Sequence, residues 1–157
     1  MTNLAEKVLE KVERATFIVM LKAANPDVVA DVVESGVTAP GIPDLRVTWV
    51  DNEQSFDVPV EFKVAIGRRL NIEASQCAWH TKAWQALRKA RHGTGSVICA
   101  WHEPTKRYYI WPGVLVVPLA KQGCNVPGAA IVRSTGDAET GKRLFQALAR
   151  CATIHRE

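Results

Sequence analysis

Val58-Pro59-Val60-Glu61-Phe62-Lys63-Val64-Ala65 decides the fold. Side chains alternate across a strand, so Val58, Val60, Phe62 and Val64 share one face, and Glu61, Lys63 and Ala65 share the other. The apolar face belongs in a core, while the second face is open to solvent or to chemistry. Upstream, Leu45 to Val50 reads as another strand, and Asp51-Asn52-Glu53-Gln54-Ser55 as a polar turn. Two short strands across such a turn pair antiparallel. Asp44, at the start of the first strand, then lies near Glu61 and Lys63 at the end of the second.

Working outward, Leu4 to Ala24 has helical spacing, with Leu4, Val8, Val12, Ala15, Val19 and Ala23 as the expected packing stripe. Thr2 or Asn3 caps its start, and Asn25-Pro26 ends it. Val28 to Val33 is a strand or a connector. The segment from Glu34-Ser35-Gly36 to Pro40-Gly41-Ile42-Pro43 is a loop rich in breakers. A second helix runs from about Glu73 to Ala90, with Ala74, Ala78, Ala83, Ala86, Leu87 and Ala90 facing inward and His92-Gly93 closing it. Ser96 to Trp101, Arg107 to Trp111 and Val114 to Leu119 read as strands, with a turn at Glu103 to Lys106. Residues 121–136 read as a loop. Asp137 to Ala152 is a final helix presenting Leu144, Leu148 and Cys151. The expectation is one α/β domain with a central mixed sheet flanked by helices, its core about 13–119 and a C-terminal extension over 120–157.

The chain has 157 residues, 47% of them hydrophobic and 23% charged, with a net charge of +4. That length supports one core, and the modest basicity is compatible with a polyanionic partner. No apolar run approaches the ~18 residues a membrane span needs. The first residues lack the pattern of a secretion signal, so a cytoplasmic setting, bacterial or phage-infected, is expected. Cys77, Cys99, Cys124 and Cys151 are scattered without metal-binding spacing and read as reduced thiols.

Asp44, Glu61 and Lys63 suit phosphodiester cleavage. Carboxylates and backbone carbonyls are the hard ligands that magnesium takes, and a fixed ammonium beside them can steady charge on a phosphate. The bland alternatives are an aspartate bonding its own turn and an exposed cross-strand charge pair. Trp79, Trp84, Trp101 and Trp111 read as packing residues, and His80 as an exposed one.

Gly41-Ile42-Pro43-Asp44-Leu45, Val60-Glu61-Phe62-Lys63 and Gln76-Cys77-Ala78-Trp79 together resemble the PD-(D/E)xK nuclease superfamily. The chain looks in particular like its small VRR-type and phage endonucleases and Holliday junction resolvases. The likeness runs from about residue 13 to residue 101, and Ala74-Ser75 departs from the residues that relatives often place before the glutamine. The resemblance implies a restriction-endonuclease-like core and a Mg²⁺-dependent endodeoxyribonuclease in which Mn²⁺ substitutes. It implies Asp44, Glu61 and the Phe62 carbonyl as metal ligands, Lys63 as the catalytic lysine, and Gln76 beside them. It also implies a glutamate from the first helix, for which Glu13 is preferred over Glu10 and Glu34. Arg68, Arg69, Lys82, Arg88, Lys89 and Arg91 are expected to meet the DNA backbone, with Arg68 and Arg69 favoured. The substrate form stays open among branched DNA such as a Holliday junction, other structured DNA and restriction-type targets. The lack of a separate recognition domain favours reading shape over sequence, and the paired cuts of a resolvase favour a homodimer. No membrane or small-molecule cofactor is expected. The rivals are a catalytically silent nuclease-fold module that binds nucleic acid or another partner, and a small-molecule enzyme using Asp44 and Glu61 as an acid–base pair.

Overall fold

The structure, a computed structural model, describes residues 4–33, 40–90 and 93–153. Thr2, Asn3, Glu34, Ser35, Gly36, Arg91 and His92 lie outside the described residues.

The hairpin forms as expected. Strand β2 (Leu45–Asp51) pairs antiparallel with β3 (Gln54–Ala65), with Leu45 opposite Val60 and Asp51 opposite Gln54. Asn52 and Glu53, at φ 47° and 67°, make the left-handed two-residue turn whose twist matches that of the strands. Strand β1 (Val29–Val32) adds antiparallel to β2. Helix α2 (Ala74–Ala90) then carries the chain to β4 (Val97–His102), which lies parallel to β3. Strands β5 (Arg107–Pro112) and β6 (Ala130–Arg133) complete an antiparallel run. The sheet is mixed, six-stranded and ordered β1 to β6.

Helices α1 (Leu4–Ala24) and α4 (Ala138–Ala152) cover one face. There Phe17, Leu21, Leu45, Val47, Val58, Val60, Phe62, Ile110, Leu144 and Leu148 are buried in one cluster. The other face carries α2 and α3 (Val116–Gln122). On it a second cluster gathers Ala65, Ile98, Ala100, Trp111, Val116 and Leu119. The Glu61–Lys63–Ala65 face of β3 is therefore covered rather than wet, and the chain has two cores separated by its sheet.

Four expectations need correction. In α1 the Leu4, Val8, Val12, Val19 stripe faces solvent, at 54–78% exposure, and Phe17, Met20 and Leu21 are buried instead. Helical period cannot distinguish two apolar stripes, and the aromatic one, larger per residue, takes the core. In α2 His80, Trp84 and Leu87 are buried, while Ala74, Ala78, Ala86 and Ala90 are exposed. Val114 to Leu119 is a helical turn leading into α3, not a strand. Val116 and Leu119, three apart, are its buried pair, and Pro118 sits in the first turn, where its missing amide costs nothing. Residues 121–136 contain β6, so the C-terminal segment belongs to the sheet and the core.

Asp137 caps α4 through the Thr140 amide at 3.2 Å. Gly141 lets α4 lie directly on α1, because a Cβ there would stand 2.1 Å from the Met20 carbonyl oxygen. Gly141→Ala is therefore expected to lower stability by about 1–3 kcal/mol by forcing the helices apart. Urea denaturation reads this directly, and an unchanged midpoint would refute the close approach.

Candidate active site

Strand β3 outruns its neighbour. The last β2–β3 pair is Leu45 with Val60, so residues 61–65 have β4 on one side and, among the described residues, no strand on the other. Edge amides there need acceptors. Asp44, one residue before β2, supplies one: its Oδ1 accepts from the Phe62 N–H at 3.1 Å. Glu10, on α1, supplies the next, its carboxylate bonding the Val64 backbone. The amide and carbonyl of one strand residue point the same way, so the Phe62 carbonyl faces this edge as well.

Glu61 is 2% exposed and Lys63 8% exposed. The Lys63 Nζ lies 3.3 Å from the Glu61 Oε1, and the Gln76 Nε2 donates to the same oxygen at 2.7 Å. The Glu61 Oε2 is buried with no hydrogen-bond partner among the described residues. Burial drives the Glu61 carboxyl up to about 8; the neighbouring Asp44 and Glu10 charges add to the rise, and Lys63 opposes it.

Loop geometry brings Gln76 within reach. Gly41 has φ 87°, and a Cβ on it would fall 2.2 Å from the Ser75 carbonyl oxygen. Only glycine lets the Gly41-Ile42-Pro43 turn cross the start of α2 this closely. The same turn delivers Asp44 to the end of β3. Gln76 also accepts from the Glu73 N–H through its Oε1 at 2.9 Å, which fixes its amide so that the NH₂ points at Glu61. Gln76→Ala is expected to leave the fold intact, and any divalent ion held by Glu61 would bind roughly 10- to 100-fold more weakly, as on loss of a ligand-orienting partner. Calorimetry would show it, and unaltered uptake would make Gln76 a bystander.

The structure brings Asp44, Glu61, Lys63 and Gln76 together and places Glu13 elsewhere. Glu13 is raised by burial, and its charged neighbours are Glu103 and Lys106. Glu10 is also raised by burial, but its charged neighbours are Lys63, Asp44 and Arg14. Glu10 shares the stripe of Phe17 and Leu21, seven and eleven residues on, and that spacing identifies it once Phe17 is taken as the core anchor.

Arg14, on that stripe too, went unnoticed in the sequence. Its Nη1 donates to the Asp44 Oδ2 at 2.7 Å, with side-chain exposures of 17% and 23%. His80, expected outside, is fully buried. Its Nδ1 lies 2.6 Å from the Ser96 Oγ, and burial with the nearby Lys63 charge lowers its pKa to about 4. It joins α2 to Ser96, the residue just before β4, whose carbonyl accepts from both the Trp84 indole and the Gly113 amide. Arg68, Arg69, Lys82, Arg88 and Lys89 are all exposed, on the loop after β3 and along α2.

Among the described residues no three His, Cys, Asp or Glu side chains are grouped as a ready metal cage. Asp44 and Glu61 nevertheless fit a small hard cation. Magnesium is held by one or two carboxylates and keeps its remaining positions for water and phosphate. The buried, unpartnered Glu61 Oε2 is the kind of acceptor such an ion satisfies.

The fold and site define an α/β protein with an acidic–basic cluster at the end of a central hairpin. No known family model matches the chain, and no curated protein sequence matches it. Among solved structures, the fold is similar to that of Hjc, a Holliday junction resolvase from the archaeal hyperthermophile Archaeoglobus fulgidus. The TM-score is 0.45 and the identity 14%, over 83% of this chain and 98% of that one. A likeness at that level bears on neither family nor activity. No described helix is long and apolar enough to cross a membrane, and the four cysteines are free.

Proposed function

We propose that this chain is a divalent-metal-dependent endonuclease that hydrolyses DNA phosphodiester bonds. The observation that carries the reading is the meeting of Asp44, Glu61 and Lys63 at the unpaired end of β3, with one buried carboxylate oxygen of Glu61 left without a partner.

In this reading Asp44, Glu61 and the Phe62 carbonyl would hold Mg²⁺, for which Mn²⁺ would substitute. A divalent ion held there would supply a more acidic water and neutralise charge on the phosphate. Gln76 and Lys63 fix the Glu61 carboxylate from one side and leave its Oε2 for the ion. Lys63, nearly buried and therefore poorly hydrated, is a fixed positive charge beside the attacked phosphorus and orients the incoming water. Glu10 takes the role first given to Glu13, adding negative charge at the edge of the pocket. Exposed Arg68, Arg69, Lys82, Arg88 and Lys89 contact DNA phosphates without selecting a base sequence. Shape then governs the substrate, and branched DNA is the preferred form, cut in pairs by a homodimer.

The test is a panel of linear duplex, nicked, flap, single-stranded and four-way DNA, incubated with Mg²⁺ or Mn²⁺. Cleavage of at least one form, stopped by EDTA, is expected. If every form survives with both ions, the chain is a binding module and the assignment fails.

A further inference from the structure

The two central carboxylates are not equivalent. Glu61 keeps one oxygen, Oε1, for Lys63 and Gln76, and leaves Oε2 without a partner. Asp44 has both oxygens engaged: Oδ1 by the Phe62 amide, and Oδ2 by the Arg14 guanidinium at 2.7 Å. The amide belongs to β3 and cannot leave. Arg14 can. It sits on α1 with a side chain 17% exposed, more than that of Lys63, so water reaches its guanidinium and can take over from the carboxylate.

Resting on the metal-dependent reading above, we propose that Arg14 is the exchangeable counter-ion of Asp44: its guanidinium and a divalent ion compete for Oδ2, so uptake of the ion lifts Arg14 off the carboxylate. The charges fit an exchange. Glu10, Asp44 and Glu61 face Arg14 and Lys63, so the cluster carries about one negative charge when all are ionised. A divalent ion added beside both cations overcompensates it, and the more exposed cation is the one able to move. A released guanidinium stands at the pocket edge, where its planar fork suits a phosphate oxygen pair. DNA and ion then favour each other's binding through one side chain, since a phosphate that holds Arg14 frees the Asp44 oxygen.

The experiment is Mn²⁺ calorimetry on the intact protein and on Arg14→Gln, with Mg²⁺-titrated NMR of the Arg14 side chain in the unsubstituted protein. Arg14→Gln is expected to bind Mn²⁺ about tenfold more tightly, because the competing charge is gone. The Arg14 Nε–H resonance is expected to move from an ion-paired to a solvated position as Mg²⁺ is added. Equal or weaker Mn²⁺ binding by the variant, with uptake by the unsubstituted protein intact, overturns the exchange and leaves the nuclease reading standing. An Arg14 resonance that ignores saturating Mg²⁺ does the same, whether or not the variant folds. Absence of Mn²⁺ uptake in both proteins overturns the nuclease reading and the exchange together.

Discussion

Asp44→Ala and Lys63→Ala are each expected to reduce DNA cleavage by roughly 10³-fold or more while the protein remains folded. Asp44 is the ligand that ties the β2 end to the β3 edge, and Lys63 is the nearest fixed positive charge to Glu61. Neither replacement should unfold the chain. Losing Asp44 leaves the Phe62 amide without its acceptor, a cost of about 1–3 kcal/mol, while Arg14 turns to solvent. Losing Lys63 leaves Glu61 with the proton that burial already favours, so no bare charge is stranded in the core. Far-UV circular dichroism beside a cleavage assay separates folding from chemistry. Residual cutting at the unsubstituted rate by either variant would remove these residues from the reaction.

The second large effect concerns stability. Glu61 titrates near 8 in the fold against an ordinary 4.5, because burial penalises its charged form. Between those values the folded chain holds a proton that the unfolded chain has lost. Stability from this group is complete below about 4.5 and drains away as pH rises through about 8. Glu61→Gln keeps the neutral form's shape at every pH. With EDTA at pH 8 the variant is expected to be more stable than the parent by about 2–4 kcal/mol, and the gap should close at pH 4. Adding Mn²⁺ at pH 8 should reverse the order, since only the parent gains from binding. Thermal unfolding at the two pH values measures both. A parent and variant that melt together at pH 8 would mean that Glu61 is not strained by burial.

The hairpin was legible because it is local. Alternation over 58–65 placed Glu61 and Lys63 on one face, a polar turn set the pairing, and the pairing carried Asp44 to Phe62. Gln76 came from the resemblance alone, since a glutamine near a helix start is as readily a solvated one. What eluded the sequence depended on packing between distant segments. The valines of α1 and the Phe17–Leu21 stripe have the same helical period, and only the sheet beneath determines which is buried. Choosing the valine stripe ranked Glu10 behind Glu13 and left Arg14 unseen, although both lie with Phe17 and Leu21. His80 looked like a surface residue because its partner, Ser96, is contributed by the segment just before β4. Val114 to Leu119 has strand-forming residues, yet the chain turns helical after Gly113. A Cβ there would meet the Ser96 Oγ at 2.3 Å and the His80 Nδ1 at 2.8 Å. Short β-branched runs follow such tertiary demands over intrinsic preference.

The seating of α4 against α1 at Gly141 has a consequence for when the protein becomes competent. Glu10 and Arg14 ride on a helix whose docking surface includes residues synthesised more than a hundred positions later. On the ribosome, the hairpin can assemble early, but the helix bearing those two charges has no complete seat until α4 emerges. A nascent chain thus carries the acidic pair in an unfinished setting, and full competence coincides with closure of the domain. For a protein whose proposed work is breaking DNA, that ordering confines the hazard to finished molecules.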